Sequence, residues 1–204
     1  MEFVRNANTD YMMNVLTSPK IQEMSDGKIP PMSVAQASGL IGSWIVETGD
    51  PTLTNLDVIE RDAGQGRGLS QYTGSRRIPY DIAASNAMQA GVDPNSAEFQ
   101  LKYFAEEYAG KYDSNGRSLV GWTRIFERAP DGLSPNDYSK YYTGSAQSGK
   151  GYFRPSVPHL DKRSQYANAV FNAYNTDTPV GNPQLTVKPI DVPEPPVYNM
   201  GSAQ

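Results

Sequence analysis

The sequence predicts an α+β fold: a mainly helical domain with one small β-hairpin, followed by an extended, proline-rich C-terminal tail. Three observations carry that reading. Apolar residues recur at helical spacing in several segments that end at glycine or begin at proline. A glycine-rich turn, Ala63-Gly-Gln-Gly66, stands between two strand-like stretches. Pro179, Pro183, Pro189, Pro193, Pro195 and Pro196 crowd the C-terminal end, where they remove backbone donors and fix φ.

The composition bounds the chemistry. Six Phe, thirteen Tyr and two Trp in 204 residues are too many aromatics for a disordered chain, so a core is expected. Mean hydropathy is −0.57, and no apolar run approaches the ~20 residues a membrane-spanning helix needs. The net charge of −4, with no basic run longer than Arg76-Arg77, excludes a nucleic-acid groove. Cysteine is absent and His159 is the single histidine. Thiolate nucleophiles and Cys-ligated zinc are therefore excluded, and with one histidine neither a multi-His metal site nor a Ser-His-Asp triad is expected. No metal or cofactor is called for, and any chemistry falls to carboxylates, hydroxyls and amides. The start, Met-Glu-Phe-Val-Arg, has no charged region followed by an apolar one, so no secretory signal is expected.

Taken in order, residues 1–31 read as an attachment segment, polar and weakly periodic, with a short helix around Asp10–Leu16 and a stiff break at Lys28-Ile-Pro-Pro31. Ser33-x-x-Gln36 then supplies a capping box ahead of Val34, Ala37, Leu40, Ile41, Trp44 and Ile45, one face of a buried helix that Gly49 stops. Gly39 and Gly42 weaken that helix intrinsically, and close approach by another backbone is the expected return. Asn55–Glu60 and Gly68–Thr73 form the expected hairpin. Helices follow over Ile78–Ala90, from Asp93-Pro-Asn-Ser96 to Tyr108, over Arg117–Arg128, and from Leu160 to Tyr174. Residues 129–158, rich in Gly, Ser, Pro and Tyr, read as one long functional loop. Residues 176–204 form the extended tail, with a disordered terminus as the alternative.

The candidate catalytic residue is Glu47. At helical spacing it falls on the edge of the apolar stripe, beside Leu40 and one turn from Trp44. A carboxyl there is partly desolvated, which raises its pKa toward the range a general acid needs. A solvated helix-end glutamate is the ordinary alternative. Gly66-Arg-Gly68-Leu-Ser70-Gln71-Tyr72-Thr73 follows, a glycine-permitted turn carrying neutral amides, hydroxyls and an aromatic, the groups that bind sugars.

The run Gly39-Leu-Ile-Gly-Ser-Trp-Ile-Val-Glu47-Thr-Gly49, with Gly66-x-Gly68-Leu-Ser-Gln71-Tyr-Thr-Gly-Ser-Arg-Arg77, resembles the phage tail lysozyme family of peptidoglycan hydrolases. The similarity continues through Gln100–Glu107, Phe126-Glu-Arg128 and Lys162-Arg163…Ala167–Asn172, and covers roughly residues 33–175. Thr48 stands where that family usually has serine, and Tyr72 where it usually has tryptophan. The resemblance implies a lysozyme-like catalytic domain over 32–175 between the N-terminal segment and the tail. It also implies cleavage of the β-1,4 bond between N-acetylmuramic acid and N-acetylglucosamine.

On that resemblance Glu47 is the general acid, and Ser70, Gln71, Tyr72 and Thr73 line the sugar cleft. Asp50, Asp57, Glu60 and Asp62 lie near in sequence as second carboxylates; Glu60 and Asp62 are best placed, and Glu60 is the candidate partner. The implied partners are peptidoglycan glycan strands and, through residues 1–31 and the tail, other virion proteins. The implied setting is a phage virion acting on the host wall, with a soluble endolysin as the alternative. A lytic transglycosylase with the same acid, or a tail scaffold that keeps the fold, are the other readings. His159 and Arg76-Arg77 are expected at helix ends or in solvent, Glu106-Glu107 as one solvated and one structural carboxylate, and the tyrosines of 138–152 either in the cleft or in loop packing.

Overall fold

The computed structural model describes residues 2–60, 65–112, 124–144, 151–153 and 155–175. Seven α-helices fill these segments: α1 (Ala7–Thr17), α2 (Pro19–Met24), α3 (Val34–Thr48), α4 (Arg77–Gln89), α5 (Ala97–Ala109), α6 (Pro135–Thr143) and α7 (Leu160–Tyr174), with a 3₁₀ turn at Gly74–Arg76. None is long and apolar enough to cross a membrane.

α3 is the centre of the molecule. Its start is the expected capping box: Ser33 Oγ accepts from Gln36 N at 3.2 Å, and Gln36 Oε1 accepts from Ser33 N at 2.7 Å. It ends at Gly49, whose φ of 67° lies in the left-handed region. Every residue from Ala37 to Ile45 is buried, so the helix is enclosed all round rather than on one stripe. The two glycines make that possible. A Cβ on Gly39 would sit 2.6 Å from Tyr138 Cβ of α6, and one on Gly42 would sit 2.4 Å from Ala167 N of α7. Backbone approach, expected from the sequence, is what these positions supply.

The N-terminal segment, expected as an attachment, contributes to the same core. Asn6 caps α1, whose buried Met12, Met13, Val15 and Leu16 join Ile21, Ile29 and Met32 against Leu40, Ile41 and Trp44. Asn6 and Asn8 reach further, donating to the carbonyls of Thr52 and Leu53 just beyond α3. α4 and α5 appear where the sequence places them, with Ser96 Oγ capping α5 and Gly110 (φ 94°) ending it. A second, smaller apolar cluster of Tyr72, Tyr80, Ala84, Phe99 and Tyr103 lies between them.

Three expectations are corrected. The hairpin over Asn55–Glu60 and Gly68–Thr73 reduces to two isolated antiparallel bridges, Ile59–Arg67 and Arg67–Tyr72, and no strand forms among the described residues. Gly68 (φ 77°) and Gln71 (φ 45°) reverse the chain within the second stretch, so it turns instead of extending. The loop expected over 129–158 contains α6, started by the Ser134 cap and Pro135 in its first turn. Of the helix expected over Arg117–Arg128, residues 117–123 lie outside the described residues, and Ile125–Arg128 form only a turn after Arg124 (φ 46°). The tail, 176–204, also lies outside the described residues.

Candidate active site

Glu47 projects from the last turn of α3, one residue before Thr48, whose hydroxyl bonds back to Trp44 O at 2.9 Å. Its side chain is only 13 % exposed. Glu47 Oε1 accepts from Arg163 Nη2 at 2.5 Å, a contact that ties α3 to the first turn of α7. Arg163 is 2 % exposed and also donates to Pro158 O (Nε, 2.8 Å) and Ser43 O (Nη1, 3.2 Å). The ring of Phe153 lies over the guanidinium, its centroid 5.2 Å away. Glu47 Oε2 makes no hydrogen bond among the described residues.

Burial pushes the Glu47 carboxyl above its ordinary value of 4.5; the Arg163 and Arg76 charges pull the other way, and the Glu60 charge adds to the rise. The neutral acid therefore persists to a higher pH than it would for a glutamate in water.

The surrounding carboxylates sort by what they already hold. Asp50 caps the turn after α3, accepting from the backbone N–H groups of Thr52, Thr54 and Asn55. Burial opposes its charge, but the Thr52 hydroxyl and those N–H groups hold its carboxyl down to about 2. Asp57 is gripped by Arg67 through two contacts of 2.8 and 2.6 Å and by the Tyr80 hydroxyl at 2.7 Å. Both are therefore committed to structure. Glu60 is exposed, accepts only from Gly66 N (3.1 Å), and has no cationic partner among the described residues. Asp62 lies outside them. Among the described residues no group of three or more His, Asp or Glu is arranged to hold a metal ion.

The expected sugar platform is divided by burial. Tyr72 is 0 % exposed, stacked on Tyr80 at 4.9 Å and set edge-on to Tyr103 at 4.9 Å. Ser70 is buried too, accepting from Trp44 Nε1 at 2.9 Å. These two side chains serve the interior and do not face a cleft. The sequence reading missed this because hydroxyls and aromatics in a glycine turn suit either environment. Gln71 is half-buried and its amide closes the turn onto Val58 O (3.2 Å) and Gly68 O (3.0 Å); Thr73 is exposed. Tyr72→Ala should accordingly lower stability by about 3 kcal/mol, the usual cost of emptying an aromatic core site. Chemical denaturation checks it, and a variant of unchanged stability would contradict the burial.

Behind the site runs a buried polar chain. Arg76 forks onto Glu107, with contacts of 2.5 and 3.1 Å, and lies between the rings of Tyr72 and Tyr152 at 5.0 and 4.8 Å. The Tyr152 hydroxyl donates to Glu107 Oε2 at 3.2 Å and lies 3.3 Å from Ser70 Oγ, which brings the chain back to Trp44. Glu107 is the structural carboxylate of its pair; Glu106 is partly exposed beside Tyr112 and Lys111. Arg76 stands at the N-cap of α4, as expected of a helix flank, but its side chain turns inward and is only 11 % exposed, while Arg77 bonds Asp81 and Gln65 O. His159 is exposed at the head of α7.

The family model for phage tail lysozyme matches residues 27–174, most of the described chain. The chain belongs to the phage tail lysozyme family. Membership carries a lysozyme-like, peptidoglycan-degrading role in a phage tail setting. The matched span holds α3, Glu47, the Gly66–Thr73 turn and Arg163, and so the whole arrangement described above. No curated protein matches the sequence. The residue of this site that sequence reasoning overlooked is Arg163. Its place in Lys162-Arg163, within a stretch that resembles the family, was the available signal.

Proposed function

We propose that this phage tail lysozyme cleaves the β-1,4 bond between N-acetylmuramic acid and N-acetylglucosamine, with Glu47 as general acid, during penetration of the host wall. One observation carries the proposal: a carboxyl largely removed from water at the end of the central helix, one oxygen held by Arg163 and the other without a partner among the described residues. The unheld oxygen carries the proton. As the glycosidic C–O bond breaks, that proton and the bonding electron pair pass to the leaving oxygen, and positive charge develops on the muramic acid ring that keeps the anomeric carbon. Water then captures the ring in a hydrolase; the sugar's own 6-hydroxyl would do so in a lytic transglycosylase.

Glu60 is the second carboxylate in this reading. It is exposed, held by a single backbone N–H, and close enough that its charge raises the Glu47 pKa. Glu60→Gln should lower the rate by a smaller factor than Glu47→Gln, and a loss equal to that of Glu47→Gln would make it an obligatory partner. Gln71 and Thr73 remain the surface groups of the turn available to sugar hydroxyls. The proposed partners are the glycan strands and neighbouring virion proteins, with residues 176–204 as the docking segment.

Digestion of purified peptidoglycan followed by mass spectrometry of the products tests the function. Free reducing muramic acid ends indicate hydrolysis, and 1,6-anhydro ends indicate transglycosylation. Intact glycan after prolonged incubation with folded protein would leave the tail scaffold as the role.

A further inference from the structure

Arg163 differs from the other cations near the site. It is buried, it comes from a helix more than a hundred positions away in sequence, and each of its three nitrogens donates once, to one carboxylate oxygen and two backbone carbonyls. The two carbonyls, Ser43 O on α3 and Pro158 O just ahead of α7, fix the guanidinium plane. Phe153 covers its face and limits water at the pair. With the plane fixed, the third contact decides which Glu47 oxygen is occupied and where the other one points.

We propose that Arg163 is a positioning residue for the proton donor, holding Oε1 of Glu47 so that the proton resides on Oε2 and is aimed at the glycosidic oxygen. This rests on the reading of Glu47 as general acid. Two effects follow. The fork narrows the rotamers open to Glu47, so the acid is preorganised rather than recruited when substrate binds. The positive charge also favours the ionised carboxylate and offsets part of the rise caused by burial; Arg76 acts in the same direction and Glu60 in the opposite one. Without Arg163 the acid would be looser in position and would hold its proton to a higher pH.

Arg163→Lys and Arg163→Met separate these effects from a structural role. A lysine ammonium keeps the charge but cannot reach three fixed acceptors in one plane. Both variants are assayed on purified peptidoglycan across pH, with the folded fraction measured at each point. In Arg163→Lys, kcat should fall at least about tenfold with KM little changed, and the alkaline limb of the rate should stay near its wild-type pH. In folded Arg163→Met, kcat should fall further and the alkaline limb should move to higher pH. If the methionine variant fails to fold, the lysine variant decides alone through its split between kcat and KM. Wild-type kcat and an unmoved limb in a folded variant would overturn the proposal. So would activity losses that merely follow the unfolded fraction. An active, folded Glu47→Gln protein would instead remove the general-acid reading, whatever Arg163 does.

Discussion

Replacing Glu47 by glutamine should cut peptidoglycan cleavage by about 10²–10⁴-fold while leaving the protein folded. Glutamine keeps the shape of the side chain, and its carbonyl can still accept from Arg163 Nη2, so the buried guanidinium retains three acceptors. What is lost is the proton. Glu47→Ala is the informative companion, because it leaves Arg163 buried with two carbonyls and no anion. Removing one partner of a buried pair costs about 3 kcal/mol or more, so the alanine variant should be both inactive and less stable. Turnover and melting temperature measured together distinguish the two. A folded glutamine variant that kept more than about a tenth of the activity would take Glu47 out of the acid role.

Gly42→Ala should be strongly damaging. The new Cβ would lie 2.4 Å from Ala167 N, 2.7 Å from Ala167 Cα and 3.0 Å from Tyr166 C. All three are backbone atoms of α7, which cannot rotate aside as a side chain can. Alanine gains about 1 kcal/mol of helix propensity over glycine, but forcing α3 and α7 apart costs more than that returns. A net loss of about 3 kcal/mol lowers the melting temperature by roughly 6–12 °C in a chain of this size. Activity should fall too, since the same two helices carry Glu47 and Arg163. At Gly49 the added methyl meets open space, and only the left-handed φ of 67° opposes it. Gly49→Ala should therefore cost only about 1–2 kcal/mol.

The contrast between α3 and the rest shows what could be read from residues alone. In α3, local signals agree: capping box, apolar spacing, two glycines and a terminal glycine all specify one helix, and Glu47 follows from its position on it. α6 was hidden because Pro135–Thr143 is polar on average: the residues at helical spacing on its buried face are Tyr138, Ser139, Tyr142 and Thr143, with no aliphatic side chain among them. The Ser134-Pro135 start and the Tyr138–Tyr142 spacing were its local marks. Residues 1–31 looked like an attachment because their average is polar, although Met12, Met13, Leu16 and Ile21 are buried within it. Tyr72 and Ser70 point inward because the left-handed Gly68 and Gln71 rotate the turn, which composition does not report. The Arg163–Glu47 contact joins residues 116 positions apart, and only the assembled α3–α7 packing brings them together.

The central claim is that Glu47 is a desolvated acid whose carboxyl, raised above its ordinary value, delivers its proton to the glycosidic oxygen. Carbon-13 NMR of the labelled glutamate carboxyls, with Glu47 assigned by its loss in Glu47→Gln, gives its titration midpoint directly. That midpoint should lie above 4.5, the ordinary glutamate value. It should also coincide with the alkaline limb of kcat/KM on purified peptidoglycan, because the rate falls as the acid loses its proton. A midpoint at or below 4.5, or a limb that ignores the Glu47 titration, would contradict the account.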